Sequence, residues 1–317
     1  MSGTVSYDVA HLRPLVYDDV QFVNLYIDFI TGKRTNYVMG ELHSILTGID
    51  IFDDYYGNKT VDLNDIINSD SNSTKEIIII GRNKLSSLLQ DSTIRHYISI
   101  TNQYNILLRI IESMNRGLPD DILQNILDYM QSISPDETLS KEMINNAFKS
   151  VEFTREHNNP YHIFQSMKSL MYDQMAHFKS KEIDCNIWHI DCKHNNYELG
   201  SICVFYNSKN PMIFNGKKGL MIQDIVKYPI PFLVQFLFPN YNGFIPKLNT
   251  VLETPINMIA SSVGIDYIFV RPINNQGAIL IKFYGYKETD AKLTYPCETI
   301  SVGFETWLYK EIEKSYL

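Results

Sequence analysis

The sequence predicts an α+β protein, with a largely helical N-terminal half followed by a mixed sheet. Three observations predict it. From about Thr93 to Lys149, apolar residues recur at helical spacing. Near Lys181 the pattern changes to short strand-like runs separated by turns. Beyond Lys247, helices and strands alternate, and alternation after a β-meander argues for a mixed sheet. The predicted division is a mainly helical region over 1–180 and an α/β region over 181–317.

Each element has its own signal. A short apolar/polar alternation over His11 to Leu15 reads as a first strand. Tyr17-Asp18-Asp19 opens a helix to about Ile30, its aspartates suiting the positive end of the helix dipole. A second helix is expected from Val38 to Ile51. Residues 52–76, rich in Asp, Asn and Ser, read as a loop. The four isoleucines Ile77 to Ile80, ahead of Gly81, could form a buried strand, although so short an apolar run is ambiguous between strand and helix. Ile106, Leu107, Ile110, Ile111 and Met114 then make a helix stripe, with Gly117 just past its end. Leu118 to Met130 is the best-signalled helix, with Pro119 and two aspartates at its start and Ile122, Leu123, Ile126, Leu127 and Met130 on one face. Further helices are expected at Met143 to Val151 and Tyr161 to Phe178.

In the second half, Asn186 to Cys192 and Gly200 to Tyr206 flank the turn Lys193-His194-Asn195-Asn196 and read as a hairpin. Gly219 to Lys227 is a third strand, and Tyr228 to Gly243 a Pro-rich aromatic link. A helix near Lys247 to Val263, a strand from Tyr267 to Val270 and a helix from Gln276 to Phe283 follow. One more strand is expected near Leu293 to Val302, and there is no internal repeat.

The totals exclude several classes. The 317 residues are 44% hydrophobic and 20% charged, which is ordinary globular composition. A net charge of −8 gives no overall attraction to nucleic acid, and no basic patch exceeds pairs such as Lys217-Lys218. The four cysteines at 185, 192, 203 and 297 are too few for a disulfide scaffold and suit a reducing compartment. The longest apolar run, Ile230 to Phe238, falls well short of a membrane span and holds Pro231 and Gln235. The N-terminus lacks the pattern of a signal peptide. A cytoplasmic protein with no membrane or nucleic-acid partner is expected. Abundant Ile, Asn, Asp and Tyr fits an AT-rich genome such as that of a large DNA virus, which would place the chain in host cytoplasm or virion.

Two local patterns have bland explanations. Cys185, His189, Cys192 and His194 are zinc-ligand types within ten residues, but on a strand the first two face away from the last two. No metal site is expected. Leu118-Pro-Asp-Asp-Ile-Leu-Gln-Asn-Ile-Leu127 resembles the start of an F-box, a module that docks an adaptor of ubiquitin ligases. A Pro-started amphipathic helix produces the same letters for purely structural reasons.

Ala260 and Gly264, the strand Tyr267 to Val270, Asn275, Ala278, Tyr284 and the pair Gly285-Tyr286 fall in a telling order. With the preceding hairpin, long strand and helix, this succession resembles the acetyl-CoA-dependent N-acetyltransferase (GNAT) family. Leu12-Arg-Pro-Leu15 followed by Tyr17-Asp18-Asp19 is similar to that family's first strand and helix, over about 10–30. The chain after it to about 180 is then either a helical insertion or a separate domain. The resemblance implies a coenzyme loop at Asn240-Tyr-Asn242-Gly243-Phe244-Ile245, with backbone N–H groups on the pyrophosphate. Asn240 stands at the family's Arg/Gln position, and Ile245 where the family has a small residue.

The resemblance also implies Ile225 and Val226 beside the coenzyme, Asn275 and Ala278 along its pantetheine arm, Tyr284 as the acid that protonates the thiolate, and Asp224 as the base. Acetyl-CoA is the implied co-substrate and an amine the acceptor. The alternative is a non-catalytic binding or scaffolding protein on the same fold, with a protein partner held by its helical half.

Overall fold

The computed structural model describes residues 5–13, 17–33, 35–48, 71–151, 186–195, 197–238, 241, 248–271, 285–289, 293 and 307–312. The described chain forms two compact units, one of Pro14–Ile98 and one of Met1–Arg13 with Ser99–Leu317.

The smaller unit is helical: α1 (Tyr17–Ile30), α2 (Asn36–Thr47), α3 (Ser71–Leu88) and the start of α4 (Ser92–Glu112). Thr35 caps α2, its hydroxyl accepting from the Val38 amide at 3.3 Å. Phe22, Val23, Tyr26 and Phe29 of α1 are buried, as are Val38, Met39 and Leu42 of α2. The isoleucine run at 77–80 is helical, not the strand its composition suggests. Ile77 is buried and Ile80 half-buried, while Ile78 and Ile79 are 39% and 61% exposed, so residues three apart on one face of the helix turn inward. The Tyr26 hydroxyl donates to the Ile78 carbonyl at 3.2 Å, and the Tyr26 ring lies so close over Gly81 that a side chain there would collide with it.

The larger unit holds the sheet. Its strands are β1 (Val5–His11), β2 (Asn186–His194), β3 (Tyr197–Tyr206), β4 (Met212–Phe214), β5 (Lys217–Lys227), β6 (Tyr267–Val270), β7 (Lys287–Thr289) and β8 (Trp307–Glu311). They lie in the order β1-β2-β3-β5-β6-β8-β7, with β4 added to β5. The described pairings are antiparallel except β5 with β6, which is parallel. This is an α+β chain with helices in its N-terminal half and a mixed sheet built from β1 and the strands of its C-terminal half. The first strand ends at His11, ahead of the Leu12–Leu15 alternation expected to form it. β1 pairs along its whole length with β2, so everything from 12 to 185 connects two neighbouring strands.

The helices of this unit are the rest of α4, α5 (Asp120–Ile133), α6 (Lys141–Ser150), α7 (Pro229–Leu237) and α8 (Leu248–Val263). α5 buries Ile122, Leu123, Ile126, Tyr129 and Met130 in one core with Ile202, Val204, Leu220, Ile222 and Ile268 of the sheet and Leu233, Val234 and Ile256 of α7 and α8. α7 lies within the link that its prolines suggest is irregular. Pro229 stands at the first helical position, where its fixed φ and missing N–H cost nothing, and Pro231 follows in the first turn, where amides have no intrahelical partner. α8 ends in a Schellman cap: Ile265 N–H donates to Ala260 O at 2.9 Å and Gly264 N–H to Ser261 O at 3.2 Å, with Gly264 at φ +71. The Ala260-x-x-x-Gly264 spacing is therefore a packing contact and a helix stop. The helix expected at Tyr161–Phe178, the helix at Gln276–Phe283 and all but Leu293 of the strand at Leu293–Val302 lie outside the described residues.

A candidate coenzyme slot between two parallel strands

The parallel ladder of β5 and β6 runs from Gly219 opposite Tyr267 to Ile222 opposite Val270, and there it stops. β5 continues to Lys227, held on its other side by β3, with Asp224 opposite Cys203, Ile225 opposite Ile202, Val226 opposite Ser201 and Lys227 opposite Gly200. The register slips by one between Cys203 and Val204, which leaves Gln223 as an extra residue in β5. Such a bulge bends and twists its strand. Along 223–227, no described strand pairs with the β6 side of β5. About every second residue there turns its N–H and C=O to that free side. This stretch, unpaired on that side among the described residues, lies at the carboxyl end of the parallel pair, where ligands of open α/β sheets bind.

Apolar packing holds this edge in place. Ile225 is half-buried against the main core. Val226 lies on the opposite face by strand alternation and is buried with Ile100 and Leu107 of α4. On the β6 lip, the Arg271 guanidinium stands 6.0 Å from the Trp307 ring centroid. Beneath, Lys310 of β8 is paired with Glu253 of α8 at 3.1 Å and lies 5.6 Å from the Tyr286 ring. Burial, with Glu253 second, holds the Tyr286 phenol protonated far above the usual tyrosine range.

Polar groups gather where β5 ends. The Tyr228 hydroxyl is 3.1 Å from Ser99 Oγ and donates to Asp191 Oδ1 at 3.5 Å. His189 Nε2 is 3.2 Å from the same carboxylate oxygen, an ion-pair distance at an angle too poor for a hydrogen bond. Burial raises the Tyr228 pKa well above the tyrosine range, and Asp191 adds to the shift. Lys227 is half-buried, and burial pulls its ammonium down to about 8. Lys227, Tyr228, Asp191, His189 and Arg271 formed no part of the expected site. A lysine closing an apolar strand, immediately before Tyr-Pro, was the one signal that pointed to any of them.

Of the expected site residues, Asp224, Ile225 and Val226 lie on the free stretch of β5, Asp224 described by its backbone alone. Asn240, Asn242, Gly243, Phe244, Ile245, Asn275, Ala278 and Tyr284 lie outside the described residues. Ladder positions separate the zinc-ligand types: His189 stands opposite Cys203 and Cys192 opposite Gly200, on opposite faces. Cys185 is not among the described residues. Burial, with Asp191 second, pushes the Cys192 thiol up to about 12, which disfavours the thiolate a metal would need.

No protein-family model matches the chain, and no curated protein matches it. Solved structures similar to it include an acetyltransferase from Streptococcus agalactiae 2603, at 12% identity and TM-score 0.26, covering 60% of this chain and 90% of that one. A GNAT-family acetyltransferase from Staphylococcus aureus Mu50 aligns at 10% identity and TM-score 0.27, over 62% and 97%. A probable acetyltransferase from Staphylococcus epidermidis ATCC 12228 aligns at 14% and 0.25, over 60% and 95%. Among the described residues, no helix is long and apolar enough to cross a membrane.

Proposed function

We propose that the chain transfers an acetyl group from acetyl-CoA to an amine, by direct attack in a ternary complex. The observation that carries this reading is the stretch of β5 from Gln223 to Lys227, which no described strand pairs on its β6 side, at the carboxyl end of its parallel pair with β6. An extended arm bearing amide groups can bind such an edge as an added strand would, exchanging N–H···O bonds with the backbone. The pantetheine arm has that chemistry. Asp224, Ile225 and Val226 are the backbone it would meet.

In this reading Asp224 takes the proton of the attacking amine, directly or through water. The amine nitrogen forms the C–N bond, the C–S bond breaks, and Tyr284 gives its proton to the leaving thiolate. By motif position, Asn240, Asn242, Gly243, Phe244 and Ile245 would hold the pyrophosphate, with Asn275 and Ala278 along the arm. Thermal melting with acetyl-CoA tests the reading, since a ligand that binds only the folded state raises its stability. A rise of several degrees as coenzyme approaches about millimolar is expected. No rise at that concentration overturns it.

A second reading, a binding protein on the same fold, is motivated by Ile245, a β-branched residue where backbone should approach phosphate. An adaptor role through the F-box-like segment has less support. Its apolar residues Ile122, Leu123 and Ile126 are buried in the chain's own core. Co-purification with a stable protein partner, without acetyl transfer, would favour the second reading.

A further inference from the structure

Lys227 closes the free stretch of β5, with Gly200 opposite it and no side chain on that residue to cover it. Cys192 stands opposite Gly200 in the next ladder and Tyr7 opposite Cys192, so the row across the sheet carries no carboxylate. The amine is half-buried and has no ion-pair or hydrogen-bond partner among the described residues. By contrast Lys217, at the other end of the strand, is exposed and paired with Glu311 at 3.2 Å. A partnered or solvated ammonium holds its proton and has no lone pair to give. A lysine titrating near 8 is uncharged in roughly a tenth of molecules at neutral pH, against well under a thousandth for an ordinary lysine.

We propose that Lys227 is an acyl-acceptor site, a nucleophilic amine modified by thioesters that enter the slot. The inference rests on the acetyltransferase reading for the identity of the donor. Neutral Nζ attacks the thioester carbonyl, the C–N bond forms and the C–S bond breaks. The nitrogen loses one proton, the departing thiolate gains one, and the products are N-acetyl-lysine and the free thiol. No oxidant or reductant takes part.

The test is peptide-resolved mass spectrometry of the full chain, incubated separately with acetyl-CoA and with the small thioester S-acetyl-N-acetylcysteamine. Acetylation at Lys227 about tenfold faster than at Lys217 is expected, with a rate that levels off above about pH 8–9. Lys227→Arg should abolish that one modification. Equal rates at the two lysines, or a Lys227 rate still climbing at about pH 10, overturn the inference. If acetyl-CoA raises the melting temperature while neither donor modifies Lys227, this site is wrong and the coenzyme reading stands. If the small thioester alone reacts, and acetyl-CoA neither reacts nor stabilises, the amine is supported and the coenzyme is overturned as its donor.

Discussion

Lys227 destabilises the fold that holds it. Its pKa falls from the ordinary lysine value to about 8 because burial disfavours the cation. Between about pH 8 and pH 10.4 the unfolded chain binds more protons than the folded one, so stability rises with pH across that window. Below it the full penalty applies. Lys227→Met should therefore raise stability at pH 7 by on the order of 1–2 kcal/mol, discounted for the side chain's partial exposure. The gain should shrink above about pH 10, which denaturation at both pH values will show. Gly219 is the opposite kind of residue. A Cβ there would drive into the ring of Phe269, which is fully buried between β5 and its neighbours. Gly219→Ala should cost about 1–3 kcal/mol by overpacking, with urea unfolding as the measurement.

At the scale of elements, α5 is held by burial more than by charge. Arg109 forms a bidentate pair with Asp121 at 2.6 and 2.7 Å, but both side chains are largely exposed. The Arg109 hydrogen bonds lower the Asp121 pKa, so that stabilisation is present above the unfolded aspartate value and is lost as pH falls through the folded one. Asp121→Asn should cost no more than about 1 kcal/mol. Ile126, wholly buried, should cost about 2–5 kcal/mol as alanine. Finding Asp121→Asn the more damaging of the two in thermal melts would contradict this ranking. α5 was legible because Pro119, Asp120, Asp121 and a clean apolar stripe all say the same thing. α3 and α7 were not. Four isoleucines in a row fit either period, and which of them is buried depends on which face of α3 turns inward in the folded unit. Two prolines read as breakers unless both fall in a helix's first turn.

At the scale of the whole molecule, the sheet closes a long loop. β1 is the first described element, yet its partner β2 begins at Asn186. Pairing at that sequence distance is costly to form and slow. Removing residues 1–11 should leave β2 as an exposed edge beside buried Ile190, Cys192 and His194. A lower melting temperature and greater aggregation are expected from light scattering during the melt.

Local periodicity and turn residues by themselves determined the helical stripes of α4 to α6, the β2–β3 hairpin, β5, β6 and helix α8. Each is fixed by residues a few positions apart, whose spacing matches one backbone period. The end of the β5–β6 ladder at Ile222, the bulge at Gln223, the place of β1 and the lack of a partner for the Lys227 amine among the described residues were decided only by the tertiary structure. They depend on which strand lies beside which. A strand's own residues state which faces they can bury, but not where the neighbouring ladder ends or what it leaves unpaired.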